Sequence, residues 1–544
     1  MAADRHSSRA AGRPGQLVFA LACVWLAWRT LSRVVAAWSF TTDDAYITLR
    51  YARHLSAGEG LVWNLGEAPI EGYSNFVHVL IAAGFAALGE LEATPLKLIG
   101  CLGLVVIGYL QWAIARRFMR PLPALLPFAL YSLQRGAIWW SVSGLETSVY
   151  VAVGCAVVLA TLRGLGFARV SPGTDSLEDG LGLARGRLRP GALALAGGLC
   201  VLASLLRPEG PLLALAVGLA AGAQLGLDRR ALGSSFDARS YRRAALGFVG
   251  VFVPLMLIYA GWRFAYFGEL VPNTVRCKAG HVDQFALLED YWSAAPLSLV
   301  LAVIWPLRRV DARVLLPLSI LLVYAIALIG ADPLIGHDLR HLLAAHALVC
   351  VLASATALRL AAWVARGVGP RYIEPALVVL ILVVATPLGG LPSHDDLRGR
   401  ASGYAARTRA RAALGEHLGR ALGPGERALL GDVGVAGWTG DAPIIDAFCL
   451  NSAALARPPL RGEPGRQADW ILAEQRPSLI VVHSRSPKQI EPRGQIYREL
   501  LADPRFEQDY VQQRRFNAKR GAFHYVVFRR RDTELSGPRV EPPP

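Results

Sequence analysis

Charged residues are scarce in this chain and make up 18% of its 544 residues, whereas soluble proteins average about a quarter. Cysteine motifs are also missing: the seven cysteines form no CxxC pair, no zinc-type spacing and no disulfide framework. Most of them lie within apolar runs, and only Cys277 and Cys449 fall in predicted loops. These absences argue against a soluble protein, a disulfide-stapled domain and a zinc protein.

Long apolar segments take the place of the missing charge, since 53% of the residues are hydrophobic. Several segments reach the ~20 residues that a helix needs to cross a bilayer. The clearest are Gln16–Trp38, Ala244–Ala265, His341–Val364 and Tyr372–Leu391. The first has a basic start but no small-residue cleavage site, which favours a retained signal anchor. The pattern predicts a polytopic α-helical membrane protein with roughly 11 to 13 spans.

The formal net charge is +16. Its basic residues lie in short loops, where they set membrane orientation, and in the C-terminal part, so the charge does not indicate nucleic-acid binding. With the basic loops in the cytoplasm, the outer face receives the loops around Ser143, Arg207, Asn273 and Asp332. The segment Arg116–Arg120 fits this alternation only if Ser74–Leu88 or Pro95–Ala115 does not cross fully; otherwise that loop breaks the rule.

Four regions follow from this pattern. Residues 1–15 form a cytoplasmic N-terminus, residues 16–391 a transmembrane domain, and residues 536–544 a Pro-rich disordered tail. Residues 392–535 combine a helical stretch, Gly403–Leu422, with short strand-like runs at Arg427–Leu430, Ser478–Val482 and Phe523–Phe528. This alternation predicts a soluble extracytoplasmic α/β domain.

The first outer loop, residues 39–75, contains two adjacent carboxylates, Asp43 and Asp44, directly after a span. An ionisable group at the membrane edge is a candidate functional group, although Thr42 or Asp43 would also serve as a helix N-cap. Glycosyl transfer to a hydroxyl requires a base that removes the acceptor proton. One carboxylate would be that base, and the other would orient the acceptor or raise the pKa of the base by charge repulsion.

The rest of this loop has two Gly-rich turns with aromatic and amide side chains, a composition that suits a sugar-binding lid. The candidates here for contact with sugar or acceptor are Tyr46, Trp63, Asn64, Glu71, Tyr73 and Asn75. Trp63 and Tyr73 fit equally well as anchors at the lipid headgroups.

Four motifs at junctions of loops and spans occur in the order found in a known superfamily. They are DDAYITLRYARHLSAGEGLVWNLGEAPIEGYSNF from Asp43, WSVSGLET from Trp140, RPEG from Arg207 and YFGELVPNT from Tyr266. Together they resemble the GT-C glycosyltransferases over residues 16–391, and most closely the branch of the mycobacterial terminal β-arabinofuranosyltransferase. The chain departs from that pattern near Asp332, where it reads Gly-Ala-Asp and then Arg-His-Leu-Leu instead of Gly-Gly-Asp and Arg-Phe-Leu-Val-Pro.

The resemblance implies an enzyme that uses a polyprenyl-phosphate sugar and releases polyprenyl phosphate, with Asp43 or Asp44 as the catalytic base. The sugar would be arabinofuranose, another pentose or a different sugar, and the acceptor a cell-envelope glycan, lipid or protein. The location would be the outer face of a bacterial inner membrane. No motif demands a cofactor, although Asp43, Asp44 and Asp332 are hard oxygen ligands that would suit a divalent cation.

A phosphate donor needs cations on the outer face, because Arg binds phosphate oxygens in bidentate fashion and helps the phosphate to leave. The candidates are Arg207, Arg276, Lys278, His337, Arg340 and His341. Snorkelling to headgroups also explains each of them, and Arg207 would equally form a structural pair with Glu209. Further candidates for contact with sugar or acceptor are Glu146, Glu269, Asn273 and Asp332. Glu146 fits a helix cap as well, and Asn273 a turn.

Two other functions remain open at this point. A flippase or transporter for lipid-linked sugars would have broken helices and charges at mid-membrane depth, whereas here the charges lie at span ends. A non-catalytic envelope scaffold would bind through its C-terminal domain and would not need Asp43 or Asp44.

Overall fold

The computed structural model describes residues 13–169, 186–278, 285–304, 310–331, 337–364, 393–518 and 523–533. Three sequence predictions concern segments outside these residues: the span Tyr372–Leu391, the role of Asp332 and the tail 536–544.

The first part of the chain consists of apolar helices joined by loops. They are α1 (Arg13–Ala37), α2 (Asp43–Ser56), α3 (Phe76–Ala87), α4 (Ala93–Ala115), α5 (Leu126–Leu133), α6 (Arg135–Ser141), α7 (Thr147–Gly164), α8 (Pro190–Leu206), α9 (Gly210–Leu232), α10 (Ala238–Phe267), α11 (Asn273–Lys278), α12 (Ala286–Ala294), α13 (Pro296–Ile304), α14 (Ala312–Ala327) and α15 (Leu343–Val364).

Six described helices are long and apolar enough to cross a membrane, and the pair α12–α13, bent by 86°, would make a seventh span. Large apolar side chains such as Leu102 and Val105 on α4 are more than 60% exposed, so a lipid phase must cover them. The chain is therefore a multi-pass membrane protein. The total of roughly 11 to 13 spans stays a prediction.

Helix α3 resolves the conflict in the orientation pattern. It has 12 residues, which corresponds to about 18 Å and is too short for a hydrocarbon core of ~30 Å. Helix α4 has 23 residues and qualifies as a span. If Ser74–Leu88 does not cross, the basic segment Arg116–Arg120 falls on the cytoplasmic side, as the other basic loops require.

The C-terminal part folds around a five-stranded mixed sheet. Its strands are β1 (Ala428–Leu430), β2 (Ile444–Asp446), β3 (Leu479–Ser484), β4 (Tyr510–Asn517) and β5 (His524–Arg530), and its helices are α16 (His394–Ala421), α17 (Val433–Gly440), α18 (Pro464–Asp469), α19 (Gln495–Ala502) and α20 (Pro504–Asp509). The strand order is β2-β1-β3-β5-β4. Strand β1 pairs in parallel with β2 and β3, whereas β5 pairs antiparallel with β3 and β4.

The first loop of the membrane part packs on one face of this sheet. Ile47, Tyr51 and Trp63 share one hydrophobic cluster with the sheet residues Leu430 and Val481. The opposite face packs against the helices α18 to α20. Loop and sheet thus form a single core, which fixes the position of the acidic pair at the start of α2.

A disulfide between Cys277 and Cys449 crosses the same boundary, with the two Cα atoms 5.8 Å apart. It ties α11 to the segment after β2. The sequence interpretation, which found no disulfide framework, is wrong on this point because the two cysteines lie 172 residues apart and share no local motif.

Candidate active site

Asp43 begins α2 and points into the C-terminal domain. Its carboxylate accepts hydrogen bonds from the backbone N–H groups of Gly434 and Val435, both at 3.0 Å. It therefore caps α17 and not its own helix, where Thr42 makes no side-chain cap either. A Cβ atom on Gly434 would lie 2.0 Å from the carbonyl oxygen of Asp43, so this approach requires glycine.

Arg411 of α16 stands between Asp43 and a second carboxylate, Asp432. Its guanidinium lies 3.5 Å from Asp43 and 3.0 Å from Asp432. Burial raises the pKa of Asp43 against the opposing effect of Arg411. Burial also acts on Asp432, but Arg411 and His483 outweigh it and lower the pKa of that carboxyl. Asp43 thus belongs to a buried charge network of the domain.

Asp44 points away from this network and remains half-exposed. Its Oδ2 atom lies 3.7 Å from Nη1 of Arg340. The two face a small cavity of about 30 Å³, which is also lined by Thr48, Asn75 and Lys278. Of the two adjacent acids, Asp44 is the one that a substrate can reach.

Arg340 is 8% exposed and only loosely paired. Its distances to Asp44 and to Glu146, 3.7 and 3.5 Å, exceed those of a normal hydrogen bond. Its Nε atom has no hydrogen-bond partner among the described residues, and its guanidinium lies 5.0 Å from the ring centre of Trp140. A buried guanidinium with spare donors is a ready site for an oxyanion.

Arg207 is engaged in a tight structural network. It donates to Glu146 at 2.9 Å and to Glu209 at 2.6 Å, so the structural pair with Glu209 is present. His341 approaches the same oxygen of Glu209 at 2.7 Å. Burial lowers the pKa of His341 to about 4, which leaves its ring neutral at pH 7. Arg207 and His341 are therefore held by neighbouring side chains and contribute little charge that is available to a ligand.

These residues line one wall of a cavity of about 600 Å³, here named the Arg340 cavity. Among the described residues, its polar wall carries Arg207, Lys278 and Arg340 together with one carboxylate, Glu209. The opposite wall is apolar and consists of Leu212, Tyr324, Ala327, Leu328 and Ile329. The cavity shares Ser74, Thr274, Lys278 and Arg340 with the small cavity at Asp44, so the two adjoin.

Trp63 lies in the core and not on a lid, which corrects its prediction as a sugar or headgroup contact. It is 1% exposed, donates from Nε1 to the carbonyl of Ile444 at 3.2 Å and lies under the guanidinium of Arg50, 4.4 Å from its ring centre. Asn64 bonds to the N–H and the C=O of Ile444 at 3.0 and 3.1 Å. The aromatic and amide side chains that indicated a sugar-binding lid instead contact β2.

The other predicted loop residues divide between core and cavity. Tyr46 packs beside the cluster of Leu49, Ala52, Ala82 and Leu96. Tyr73 packs edge-on against Tyr51, with ring centres 4.8 Å apart, and borders the Asp44 cavity. Asn75 also lines that cavity and donates to Glu146 at 2.9 Å. Glu146, which precedes α7, is therefore buried behind the cavity wall.

Five predicted residues line a third cavity, of about 390 Å³, here named the Glu269 cavity. They are Asn64, Glu71, Glu269, Asn273 and Arg276. Arg276 pairs with Glu269 and lies outside the Arg340 cavity, and its role as a donor-phosphate ligand stays a prediction. Burial raises the pKa of Glu71 to about 7 despite its pairing with Arg263 at 2.9 Å. Asn273 donates to the carbonyls of Cys449 and Leu450.

Among the described residues, no three His, Cys, Asp or Glu side chains converge as metal ligands. Asp44 faces an arginine, Asp43 is taken up by backbone N–H groups, and Asp332 lies outside the described residues. A requirement for a divalent cation stays a prediction.

Sequence reasoning missed Arg411 and Gly434. Arg411 is one of several arginines along α16, and Gly434 one of 54 glycines in the chain. Only the packing of the C-terminal domain against α2 distinguishes these two residues, and no local sequence pattern indicates a role for either of them.

A family model described as a domain of unknown function, DUF8728, matches residues 398–534. No curated protein sequence gives a significant match. Among solved structures, ArnT from Cupriavidus metallidurans bound to undecaprenyl phosphate matches with a TM-score of 0.54 at 14% identity, over 95% of this chain and 99% of that chain.

The apo oligosaccharyltransferase from Archaeoglobus fulgidus matches with a TM-score of 0.54 at 12% identity, over 93% of this chain and 74% of that chain. The chain has the GT-C fold. The arabinofuranosyltransferase AftD from Mycobacteria matches at 14% identity with a TM-score of 0.46, over 93% of this chain and 41% of that chain. The predicted arabinofuranosyltransferase branch of the GT-C fold therefore still rests on the sequence motifs.

Proposed function

We propose that this protein is an integral-membrane glycosyltransferase that moves a sugar from a polyprenyl-phosphate donor to a cell-envelope acceptor. The observation that carries the proposal is the pair Asp44–Arg340, 3.7 Å apart, where a reachable carboxylate adjoins a cationic cavity. The predicted donor sugar, arabinofuranose or another pentose, remains part of the proposal, as does the nature of the acceptor.

The two walls of the Arg340 cavity match the two parts of such a donor. Arg340 and Lys278 would bind the phosphate, and the apolar wall at Leu212, Leu328 and Ile329 would cover the first isoprene units. The ligands of similar structures are consistent with such a donor, because ArnT was solved bound to undecaprenyl phosphate and an archaeal oligosaccharyltransferase in complex with a dolichol phosphate.

The reaction would exchange one bond at the anomeric carbon for another. Asp44 takes the proton of the acceptor hydroxyl while the oxygen of that hydroxyl bonds to the anomeric carbon. The bond from this carbon to the phosphate oxygen breaks, and polyprenyl phosphate leaves with its new charge held by Arg340 and Lys278. Asp43 contributes indirectly, because its bonds to α17 fix the first turn of α2.

The disulfide supports an extracytoplasmic position for the site. Disulfides persist in oxidising compartments such as the bacterial periplasm and are rare in the cytosol. Cys277 immediately precedes Lys278, and Cys449 precedes Leu450, which also lines the Asp44 cavity. The site and the C-terminal domain would therefore share the outer face of the inner membrane.

The test uses the full chain in nanodiscs with radiolabelled polyprenyl-phosphate sugars and crude envelope acceptor. Wild type and the Glu59→Gln control, an exposed carboxyl of the same loop, should transfer label, and Asp44→Asn should not. If no donor is consumed, or if Asp44→Asn matches wild type, the proposal fails.

One structural feature favours a flippase, namely the break between α12 and α13, because transporters often have discontinuous helices. The two functions separate in sealed vesicles that contain labelled donor and no acceptor. A flippase would move donor across the bilayer and would do so in Asp44→Asn, whereas the proposed enzyme would leave the donor in its leaflet.

A further inference from the structure

A cavity of about 1140 Å³ lies between the membrane part and α16, and no role has been assigned to it so far. It is bordered by α6, by the segment His337–Leu339, by α16 and by the bend between α12 and α13. Here it is named the Trp139 cavity. It is larger than the Arg340 cavity, at about 600 Å³, and exceeds the upper range of ordinary small-molecule sites.

One short segment separates this cavity from the Arg340 cavity. His337, Asp338 and Leu339 line the Trp139 cavity, and the next two residues, Arg340 and His341, line the other. The Trp140 ring stands between them, 4.9 Å from the His337 ring centre and 5.0 Å from the Arg340 guanidinium.

The Trp139 cavity also borders the acidic pair from the side of α16. Tyr404, which lines the cavity, accepts a hydrogen bond from the backbone N–H of Asp43 at 3.3 Å. Its ring packs edge-on against Phe40, which in turn stacks on Trp139 at 3.8 Å. The segment that carries Asp44 therefore lies between the two cavities, as it must if two substrates meet at one base.

The charges of the two cavities differ. Arg135, Arg400 and Arg407 in the Trp139 cavity face an equal number of carboxylates, Asp290, Asp338 and Asp396. Asp338 is 6% exposed and bridges Arg135 and Arg400. In the Arg340 cavity, by contrast, the Arg340 guanidinium keeps spare donors, because Asp44 and Glu146 lie 3.7 and 3.5 Å away and its Nε atom has no hydrogen-bond partner among the described residues. A phosphate therefore prefers the Arg340 cavity, and a neutral, hydroxyl-rich group fits the paired charges of the Trp139 cavity.

The side chains of the Trp139 cavity suit such a group. Trp139 and Tyr404 offer aromatic faces, and the ion pairs offer donors and acceptors side by side, as hydroxyl recognition requires. The Nε atom of Arg407 has no hydrogen-bond partner among the described residues.

One edge of the Trp139 cavity adjoins a helix pair that would form a membrane span. It is formed by Ala294 and Pro296, at the bend of the apolar pair α12–α13. Directly after it, Leu297, Val300 and Val303 are 69%, 43% and 56% exposed, so α13 has an apolar surface that lipid must cover. An occupant of the cavity can therefore keep an alkyl part in the bilayer.

We propose that the Trp139 cavity binds the acceptor, and that the acceptor is a membrane-anchored saccharide with an uncharged sugar head. This proposal rests on the proposed glycosyltransferase function. It assigns the Arg340 cavity to the donor and the Trp139 cavity to the acceptor, with Asp44 between them.

The first experiment measures binding without requiring transfer. Full-length protein in nanodiscs is irradiated with a neutral octyl glycoside that carries a diazirine on the sugar, and labelled peptides are mapped by mass spectrometry. Label in Arg135–Ser141 and His394–Ala421 is expected, and excess methyl glycoside should compete poorly because it lacks the alkyl chain. Label confined to the Arg340 or Glu269 cavity would overturn the proposal.

The second experiment separates the two substrates kinetically. His337→Ala and Arg400→Ala, both at exposed positions, should raise the KM for octyl glycoside about tenfold and leave the KM for donor unchanged. Lys278→Ala should do the reverse, and Arg427→Ala in the Glu269 cavity is the matched control for loss of a lining arginine.

The outcomes distinguish the two proposals. Wild-type transfer with an unchanged acceptor KM in both His337→Ala and Arg400→Ala refutes the acceptor site and leaves the enzyme intact. Absence of transfer by wild type from every donor, with the diazirine label in the Trp139 cavity, refutes the enzyme and retains a glycolipid-binding site. A raised acceptor KM in Arg427→Ala alone would move the acceptor to the Glu269 cavity and overturn the proposal.

Discussion

At the scale of the residue, Asp43 and Asp44 show why adjacent identical side chains need not share a role. Successive side chains on a helix point about 100° apart, so one reaches the domain and the other the cavity. The sequence identified both aspartates as candidates for the catalytic base, but it could not rank the two. Only the position of α17, 390 residues further along the chain, separates them.

Asp44→Asn should lower kcat by a factor of about 10² to 10⁴, the usual contribution of a general base. The fold should persist, because this half-exposed side chain makes only a long ion pair with Arg340. Transfer of radiolabelled sugar and thermal unfolding, measured on one preparation, check both statements, with Glu59→Gln as the exposed control. Equal kcat in the two variants would exclude Asp44 as the base.

Asp43→Asn should act on stability first. The amide would turn an N–H₂ group toward the N–H donors of Gly434 and Val435 and would remove a charge facing Arg411, which should cost about 1–3 kcal/mol. Gly434→Ala should have a similar effect by steric clash with Asp43. Thermal unfolding checks both predictions. Gly403→Ala is the control, because a Cβ atom at this open helical site would meet no other atom. Gly425→Ala is unsuitable as a control, because Gly425 has a positive φ.

A carboxyl in β2 predicts the pH dependence of stability. Burial raises the pKa of Asp446 to about 7, even though Asn451 and Phe448 donate to it. Between its unfolded pKa of about 3.9 and pH 7, the folded state binds more protons than the unfolded state. The contribution of Asp446 to the free energy of unfolding should therefore fall as the pH rises through this window. His341, whose pKa burial lowers to about 4, contributes in the opposite direction, so the prediction concerns the difference between wild type and a variant that lacks the Asp446 carboxyl.

Thermal unfolding of wild type and Asp446→Asn from pH 4 to 8 checks this sign, because the stability of wild type relative to the variant should fall as the pH rises. Glu71, with its pKa also raised to about 7, adds a second term of the same sign, so the fall relative to the double variant Asp446→Asn with Glu71→Gln should be larger still. A stability of wild type relative to these variants that rises with pH across this window would contradict the buried position of both carboxyls.

At the scale of the element, the predictions from sequence succeeded where hydrophobic periodicity was strong. The predicted runs Arg427–Leu430, Ser478–Val482 and Phe523–Phe528 correspond to β1, β3 and β5, which are buried along most of their length. Strand β4 was missed because most of its residues are polar and exposed, as expected of an edge strand. Its pairing with β5 depends on long-range contact.

The disulfide between α11 and the segment after β2 should matter for catalysis as well as stability. Cys277 precedes Lys278, which lines both the Arg340 cavity and the Asp44 cavity. Cys277→Ser or treatment with reductant should therefore raise the KM for donor several-fold, because α11 is less well fixed. Cys23→Ser, which leaves the disulfide intact, is the control. An unchanged KM with a lowered melting temperature would assign the bond a purely structural role.

At the scale of the whole molecule, the C-terminal domain completes the site that the membrane part begins. It supplies the N–H groups that hold Asp43, the Arg411 that faces it, and half of the core around Trp63. A sequence divided into a membrane domain and a soluble domain does not reveal this dependence, because each part carries its own periodicity. A scaffold whose tail acts alone would not need such a junction.

This dependence leads to a prediction that concerns the entire chain. A protease site inserted just before residue 393 would cut the backbone between the two parts, which remain joined by Cys277–Cys449 and by the shared core. Cut but unreduced enzyme should retain transfer activity, since every contact of Asp43 and Lys278 is preserved. Once the disulfide is reduced and the domain washed away in mild denaturant, the membrane part should lose activity, and added domain should restore it. Continued transfer by the washed membrane part would mean that Asp44 functions without α17 and Arg411. The C-terminal domain would then not be required for catalysis.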